Sequence, residues 1–287
     1  MTRILFLILN YKTYTDTIKV VNEILQESTD DSKILIVDNA SPNGSYSKMS
    51  EAFGENKRVE IIQSPVNGGY AKGNNYGLKY AKRYAPQFIC IMNNDVHVAW
   101  EVVEKLCTTY KQLEKPALIA PIQVLSYNIK AVFPNLIKVP NLIYDLRMNT
   151  MLFQPSKHKY ESNTKWGNIQ KVGYIPGALL FTEYATFEEL GFFDEGTFLF
   201  CEERFIGKAV AEAGLSNYIV TDISYLHEHS KTINGEASAK RQRRLIHEGR
   251  ILFYKRYSHI PIVAIFLLNL SFYFHEFEIY ILSLIKR

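Results

Sequence analysis

Three short strand-like runs, residues 4–9, 33–37 and 88–91, each end in Asn or Asp: Asn10, then Asp38-Asn39, then Asn93-Asn94-Asp95. Apolar runs of this length read as buried strands. Between them Ile18, Val21, Ile24 and Leu25 recur at helical spacing over residues 15–27. Residues 45–53 predict a short helix after the Asn43-Gly44 turn, and residues 59–63 a third strand. Strand and helix alternating in this way predict an α/β chain with a mostly parallel sheet and helices on both faces. Right-handed crossovers put the ends of strands one, two and four on one carboxyl edge. Open α/β sheets hold their ligands at that edge. Any one polar strand end is explained by turn formation. Asn10, Asp38 and Asp95 together, two of them carboxylates, point to a ligand crevice.

Before the fourth strand lies Asn67-Gly68-Gly69-Tyr70-Ala71-Lys72-Gly73-Asn74-Asn75-Tyr76-Gly77. Glycines allow close backbone approach to a ligand. Leu78, Ala81 and Ala85 predict a helix starting near Asn74. A glycine-rich loop entering a helix is an anion site by geometry and dipole, but taken alone the stretch reads equally as an ordinary loop, and Lys72 as either solvated or reaching a diphosphate. The stretch is neither G-x-G-x-x-G nor a P-loop, which argues against a dinucleotide dehydrogenase.

Val102, Val103, Leu106 and Tyr110 predict a further helix, and residues 117–124 a strand. Residues 126–168 have no clean period and carry Pro134, Pro140 and Pro155. They read as loops and short elements walling a second-substrate site. Residues 172–181 read as a turn leading into a buried strand, and 184–190 as a short helix. Phe198-Leu199-Phe200-Cys201 then runs into Glu202-Glu203, which repeats the pattern before Asp95. A helix starts here, carrying Ile206, Ala209, Val210 and Ala213. Its dipole alone accounts for one of the two acids. Residues 218–220 and 223–226 read as extended, ending in His227-Glu228-His229-Ser230, which lacks zinc-protease spacing.

A net charge of +4 does not suggest a nucleic-acid partner. Cys90, Cys107 and Cys201 lack metal or redox spacing and fit a reducing cytosol. The run at residues 4–9 is too short for a signal sequence, so a cytoplasmic protein is expected. The last part differs. Lys240-Arg241-Gln242-Arg243-Arg244 opens a basic helix continued by Arg250, Lys255 and Arg256. Apolar residues 262–268 and 279–285 follow, interrupted by Asn269, His275, Glu276 and Glu278. A span needs about 20 mostly apolar residues, and mid-span charges are costly. One or two interfacial helices with a basic flank are expected, drawn to an anionic membrane surface or a lipid diphosphate. The alternative is a hairpin packed on the domain, or a homodimer contact. The expected division is a domain over residues 1–235, with a nucleotide half at 1–125 and an acceptor half at 126–235, and C-terminal helices over 236–287.

In order, Ile8-Leu9-Asn10-Tyr11, Ile36-Val37-Asp38-Asn39-Ala40-Ser41, the stretch 67–75, Met92-Asn93-Asn94-Asp95, Gly177-Ala178, Gly191-Phe192-Phe193-Asp194-Glu195 and Cys201-Glu202-Glu203 resemble the family 2 glycosyltransferases. These are inverting enzymes of GT-A fold, a Rossmann-like mixed sheet flanked by helices. The likeness covers roughly residues 3–230 and looks nearest to enzymes adding rhamnose or related sugars to bacterial surface polysaccharides. It implies a nucleotide diphosphate sugar donor, dTDP-rhamnose or a UDP-sugar, and a glycan acceptor, lipid-linked. Asn10, Tyr11 and Asp38 would hold base and ribose. Asn67, Gly69, Lys72, Gly73, Asn74 and Asn94 would complete the nucleotide-sugar site. Asp95 would bind Mg²⁺ or Mn²⁺, with His227 completing the metal or diphosphate site. Glu203 would be the base, and Gly177, Ala178, Asp194 and Glu202 would face the acceptor. Three positions depart from the family pattern: Asn93 replaces an acid of the D-x-D-type motif, Glu203 stands one methylene longer where many members have Asp, and Phe205 replaces a further acid two positions on. The residue chemistry agrees, since one or two carboxylates suffice for a metal that also binds phosphate oxygens. A nucleotidyltransferase on a similar sheet and a non-catalytic nucleotide-binding assembly protein are the two competing readings.

Overall fold

The computed structural model describes residues 2–126, 129–131, 138–149, 167–228, 239–258 and 260–285. Strands β1 (Ile4–Asn10), β2 (Ser32–Asp38), β3 (Val59–Gln63) and β4 (Phe88–Asn93) pair in parallel as β3-β2-β1-β4. Helices α1 (Tyr14–Glu27), α2 (Ser45–Phe53) and α3 (Gly69–Ala81) make the crossovers. Ile4–Ile8, Ile34–Val37 and Phe88–Ile91 have no more than 1% exposure. A strand covered on both faces has no reason to alternate, hence the unbroken apolar runs.

The sheet then continues through β9 (Leu179–Glu183), β6 (Pro116–Ser126), β10 (Ser216–His227) and β5 (Val96–His97). β7 (Ile129–Ala131) pairs with β6, and β8 (Ile169–Val172) with β10. β9 is antiparallel to both β4 and β6, so the sheet is mixed. Phe181 of β9 stacks on Phe88 of β4 at 5.1 Å and meets the ring of Tyr110 at 6.4 Å. Tyr110 closes α4 (Trp100–Tyr110). The two extended segments expected at 218–220 and 223–226 are one strand, with a register shift between Val220 and Ser224.

The expected start of α3 near Asn74 needs correction: the helix begins at Gly69. The glycine-rich stretch is therefore largely helix rather than loop. Gly69 has φ +83°, and a Cβ there would lie 1.9 Å from the Phe198 carbonyl oxygen. Cβ atoms on Gly73 and Gly77 would strike Leu9, and Leu7 with Val37, at 2.6 and 2.5 Å. These two glycines bring α3 down onto the sheet.

The aperiodic residues 126–168 contain β7 and α5 (Leu142–Met148); residues 127–128, 132–137 and 150–166 lie outside the described chain. α6 (Tyr184–Glu189) and α7 (Glu202–Glu212) follow. The tail forms α8 (Ala239–Phe253), a π-helical turn (Tyr254–Ser258) and α9 (Ile262–Ile285). It packs on the rest of the chain: Phe205 of α7, Phe253, Tyr254 and Leu268 form a second small core, with Leu142 and Leu146 of α5 against it. Phe205 stands T-shaped to Phe253 at 5.4 Å. An acid in place of Phe205 would be buried there among apolar rings.

Candidate functional site

Strand register gathers the polar ends on one edge. Asn10 pairs with Asp38 across β1 and β2, and Leu9 with Asn93 across β1 and β4. Asn10 and Asp38 are fully buried. Asn10 Nδ2 donates to Asp38 Oδ1 at 2.8 Å, and Thr17 Oγ1 donates to Asn10 Oδ1 at 2.9 Å. Asp38 Oδ2 accepts from the Ser41 amide at 3.0 Å and from Gln63 Nε2 at 2.9 Å. Asn94 Nδ2 donates to Thr13 Oγ1 at 2.7 Å and Thr17 Oγ1 at 2.9 Å, tying the end of β4 to the start of α1. Thus Asp38 and Asn94 shape the crevice floor, and half-buried Tyr11 lies beside them with the Lys12 ammonium 5.1 Å over its ring. Thr13, Thr17, Ser41 and Gln63 were missed as site residues. Thr17 sits inside a periodic helix, and nothing local distinguishes it.

Asn67 Oδ1 accepts from Asn39 Nδ2 and from the Gly69 amide, each at 3.1 Å. Asn74 is buried, and its Nδ2 donates to the Tyr70 carbonyl at 3.0 Å. Lys72 stands exposed. Of the stretch, Gly69, Gly73 and Asn74 are engaged in packing and helix contacts, and Lys72 presents its charge to solvent.

Asp95 lies in the two-residue turn between β4 and β5. β10 pairs antiparallel with β5 so that His227 faces Val96, and the Glu228 amide donates to the Asp95 carbonyl at 2.9 Å. His227 Nε2 thereby reaches Asp95 Oδ1 at 3.2 Å, both side chains being about nine-tenths buried. A carboxylate and an imidazole this close fit a divalent cation that takes its remaining ligands from water and phosphate oxygens. Among the described residues no cluster of three or more His, Cys, Asp or Glu forms a complete protein cage. His229 and Ser230 lie outside the described residues.

Glu202 and Glu203 open α7 after two successive left-handed residues, Phe200 (φ +73°) and Cys201 (φ +72°). Such a conformation costs about 1–3 kcal/mol per non-glycine residue. The reversal brings Glu203 back over Gly177, whose amide donates to Glu203 Oε1 at 3.1 Å. A Cβ on Gly177 would sit 2.9 Å from that oxygen, so the carboxylate occupies the space of a side chain. Tyr70 OH donates to the Gly177 carbonyl at 2.6 Å from the other side. The Ala178 carbonyl accepts from the Asn93 amide at 2.9 Å, which locks this turn to β4.

Burial, and then the neighbouring Glu203, push the Glu202 carboxyl up to about 8; the Thr197 hydroxyl, donating at 3.0 Å, offsets part of this. Burial also raises Glu203, opposed by its own amide, the Gly177 amide and Arg204. The Tyr225 hydroxyl is raised by burial first and then by both Asp95 and Glu203, so it lies within the field of each. It donates to Gln123 Oε1 at 3.0 Å. Beside Glu203 opens a recess of about 210 Å³, lined by Tyr174, Phe200, Cys201, Arg204, Ile246 and Arg250 among others. Asp194 is engaged elsewhere: Arg256 of the tail pairs with it, and Tyr257 OH donates to it at 3.2 Å. Its carboxylate serves tail docking and not the recess.

The family model described as glycosyl transferase family 2 matches residues 6–180. This chain belongs to glycosyl transferase family 2. The matched region runs from β1 into β9, covering the crevice floor, Asp95 and Gly177. The family 2 chain is 22% identical over 198 residues to the low-salt glycan biosynthesis hexosyltransferase Agl10 of Haloferax volcanii. That match covers 69% of this chain and 58% of the relative. Among solved structures, GalNAc-T7 with UDP, GalNAc and Mn²⁺ superposes with TM-score 0.62 at 14% identity, over 96% of this chain and 55% of that one. The mannosyltransferase PcManGT of Pyrobaculum calidifontis with GDP-Man and Mn²⁺ gives 0.57 at 13%, over 94% and 69%. S. aureus TarS residues 1–349 give 0.52 at 10%, over 88% and 72%. The fold of this family 2 chain is GT-A, with the C-terminal helices added.

Proposed function

We propose that this chain is a metal-dependent inverting glycosyltransferase. It takes a sugar from a nucleotide diphosphate donor, dTDP-rhamnose or a UDP-sugar, to a lipid-linked glycan in surface polysaccharide synthesis. One observation carries the reading: the Asn93 amide bonds the Ala178 carbonyl, so the turn bearing Asp95, paired with His227, is joined to the Gly177 turn whose amide holds Glu203. A diphosphate-side carboxylate and a base thus sit on adjoining turns at one edge of the sheet. The base and ribose lie against Tyr11 on the Asn10–Asp38 floor, with Asn67 and Lys72 at its rim. Asp95 and His227 would hold Mg²⁺ or Mn²⁺, and the ion would supply positive charge to offset a departing diphosphate. Glu203 takes the acceptor hydroxyl proton as the new anomeric C–O bond forms and the C–O bond to diphosphate breaks. Base assistance of this kind contributes about 10²–10⁴-fold. A single displacement inverts the anomeric centre. Gly177, whose amide holds Glu203, with the adjoining Ala178 and Glu202, is assigned to the acceptor side.

The test is release of product from UDP-glucose, UDP-N-acetylglucosamine, dTDP-rhamnose and GDP-mannose with and without Mn²⁺. Nucleoside diphosphate release from one donor, dependent on Mn²⁺, is expected. Release of inorganic diphosphate from a nucleoside triphosphate instead would identify a nucleotidyltransferase. Neither release, with nucleotide still raising the melting temperature, would leave a binding protein.

The tail is proposed to hold the enzyme peripherally on the inner face of the cell membrane. α9 is long and apolar enough to cross a membrane, yet its one buried line is Leu268, Phe272 and His275. Glu276 turns in to pair with Arg243 of α8. Phe266, Leu270, Phe274 and Phe277 are more than half exposed, and Lys240, Arg244 and Lys255 line the adjoining groove. An apolar face with a basic flank suits an interfacial helix. The protein is expected to co-sediment with phosphatidylglycerol-containing vesicles and not with neutral ones. Phe266→Glu/Phe274→Glu should remove that binding without changing the melting temperature, because both residues face outward. Unchanged co-sedimentation refutes it, and a dimer that the variant makes monomeric assigns the face to a second copy. Deleting 261–287 is a poorer test, since it would uncover Phe205 and Phe253.

A further inference from the structure

The left-handed pair Phe200–Cys201 aims Glu203, and the structure places tail helix α8 directly on it. At Gly249 a Cβ would lie 3.0 Å from both Cβ and Sγ of Cys201, so the α8 backbone rests on this turn. Cys201 Sγ also reaches the Ile246 carbonyl at 3.5 Å. On the far side, the Tyr70 amide donates to the Phe198 carbonyl at 2.9 Å, next to Gly69. The strained segment is therefore held between two glycines, one on α3 and one on α8.

A buried ionic hub fixes α8 in this place. Asp145 of α5 is fully buried. Arg204, the residue after Glu203, donates to both its oxygens at 2.5 and 2.9 Å. From the tail, Arg250 Nε lies 3.1 Å from Asp145 Oδ1, and Tyr254 OH donates to Oδ2 at 2.5 Å. Arg250 Nη1 further donates to Asn149 Oδ1 at 2.9 Å. The planar guanidinium fork of Arg204 sets orientation as well as distance. α7 and α8 are thus registered against one carboxylate, one residue from Glu203 and one from Gly249.

We propose that α8 is a positioning element of the reaction: Gly249, through Cys201, holds the strained turn that presents Glu203 to the acceptor. The inference rests on Glu203 being the base. It predicts that disturbing the α8 contact lowers turnover and spares donor binding, because the nucleotide floor is built from β1, β2 and β4. A merely structural tail would change stability and leave the ratio of kcat to KM effects unbiased.

The experiment uses the full chain and measures nucleoside diphosphate release from the best donor of the panel above, with Mn²⁺ and water as acceptor. Gly249→Leu drives a side chain into Cys201. Its kcat should fall by about 100-fold, the cost of a displacement near 1 Å, with donor KM within about threefold. Cys201→Gly in the same chain removes both atoms the leucine meets and accepts φ +72° freely. The double variant should return to within about fivefold of wild type, a coupling that independent sites do not show. If Gly249→Leu does not fold, Gly249→Ala serves, with a severalfold loss of kcat recovered by Cys201→Gly. An unchanged kcat, a loss shared by KM, or a failure of Cys201→Gly to rescue overturns the proposal. Glu203→Gln run in parallel separates the two levels. Wild-type release from it means the base reading has failed; its inactivity beside an active Gly249→Leu means only the α8 inference has.

Discussion

Glu203→Gln lowers turnover by about 100-fold or more while nucleotide affinity stays within a few-fold. Glutamine keeps the length of the side chain and can still accept the Gly177 amide, so the turn at Gly177 survives. What it loses is a group able to take a proton. The deficit therefore falls on kcat, measured as nucleoside diphosphate release at saturating donor. Glu202→Gln is the control. With its carboxyl raised to about 8, Glu202 is mostly protonated near neutral pH, and an amide resembles that state. Its loss should be far smaller. The control carries a pH signature as well. A carboxyl whose folded value is raised favours the folded state below its ordinary value of 4.5, and that share is lost as pH rises through about 8. Wild type should thus lose stability between these limits, and Glu202→Gln should lose less. An inactive Glu202→Gln beside an active Glu203→Gln would move the base by one position.

Asp95→Ala abolishes Mn²⁺-dependent nucleotide binding, leaving the weak metal-independent part. The carboxylate ends a buried strand at the crevice, so its loss strips the cation of its charged ligand and leaves only His227. Titration of UDP, GDP and dTDP by calorimetry, with Mn²⁺ and with chelator, measures this. The wild-type affinity should fall on chelation, and the variant should show no difference between the two conditions. Circular dichroism should report a folded protein, because β4 keeps its pairing with β1 and β9. A variant that still gains affinity from Mn²⁺ places the cation elsewhere.

The polar sheet edge was legible because each of its strands is short, apolar and closed by polar residues. Asn10, Asp38 and Asp95 could be placed without tertiary knowledge. The network beneath them could not. Thr13 and Thr17 belong to the opening of a helix, and their hydroxyls meet Asn94 only after 77 or more residues of chain have folded back. The helix start within the glycine-rich stretch was misplaced for a related reason. Glycines that admit a ligand and glycines that admit a sheet look alike in sequence, and here Gly73 and Gly77 meet Leu9, Leu7 and Val37. Asp194 stood in a matching motif, yet its partners Arg256 and Tyr257 lie more than sixty residues on. The tail was read as basic and apolar, which is correct. That Arg204 and Arg250 share one buried carboxylate from α5 follows from no local pattern.

Strand β9 completes the pairing of β4 from far along the chain. The parallel strands at the amino end pair among themselves early, but β4 has its second neighbour only in residues 179–183. While the intervening residues leave the ribosome, the outer edge of β4 offers unpaired amides and carbonyls beside the apolar faces of Ile89 and Ile91. An edge in that condition recruits other strands, and pairing across so many residues is slow. The nascent chain is thus most exposed to misassembly over one defined interval, which closes as Phe181 reaches Phe88.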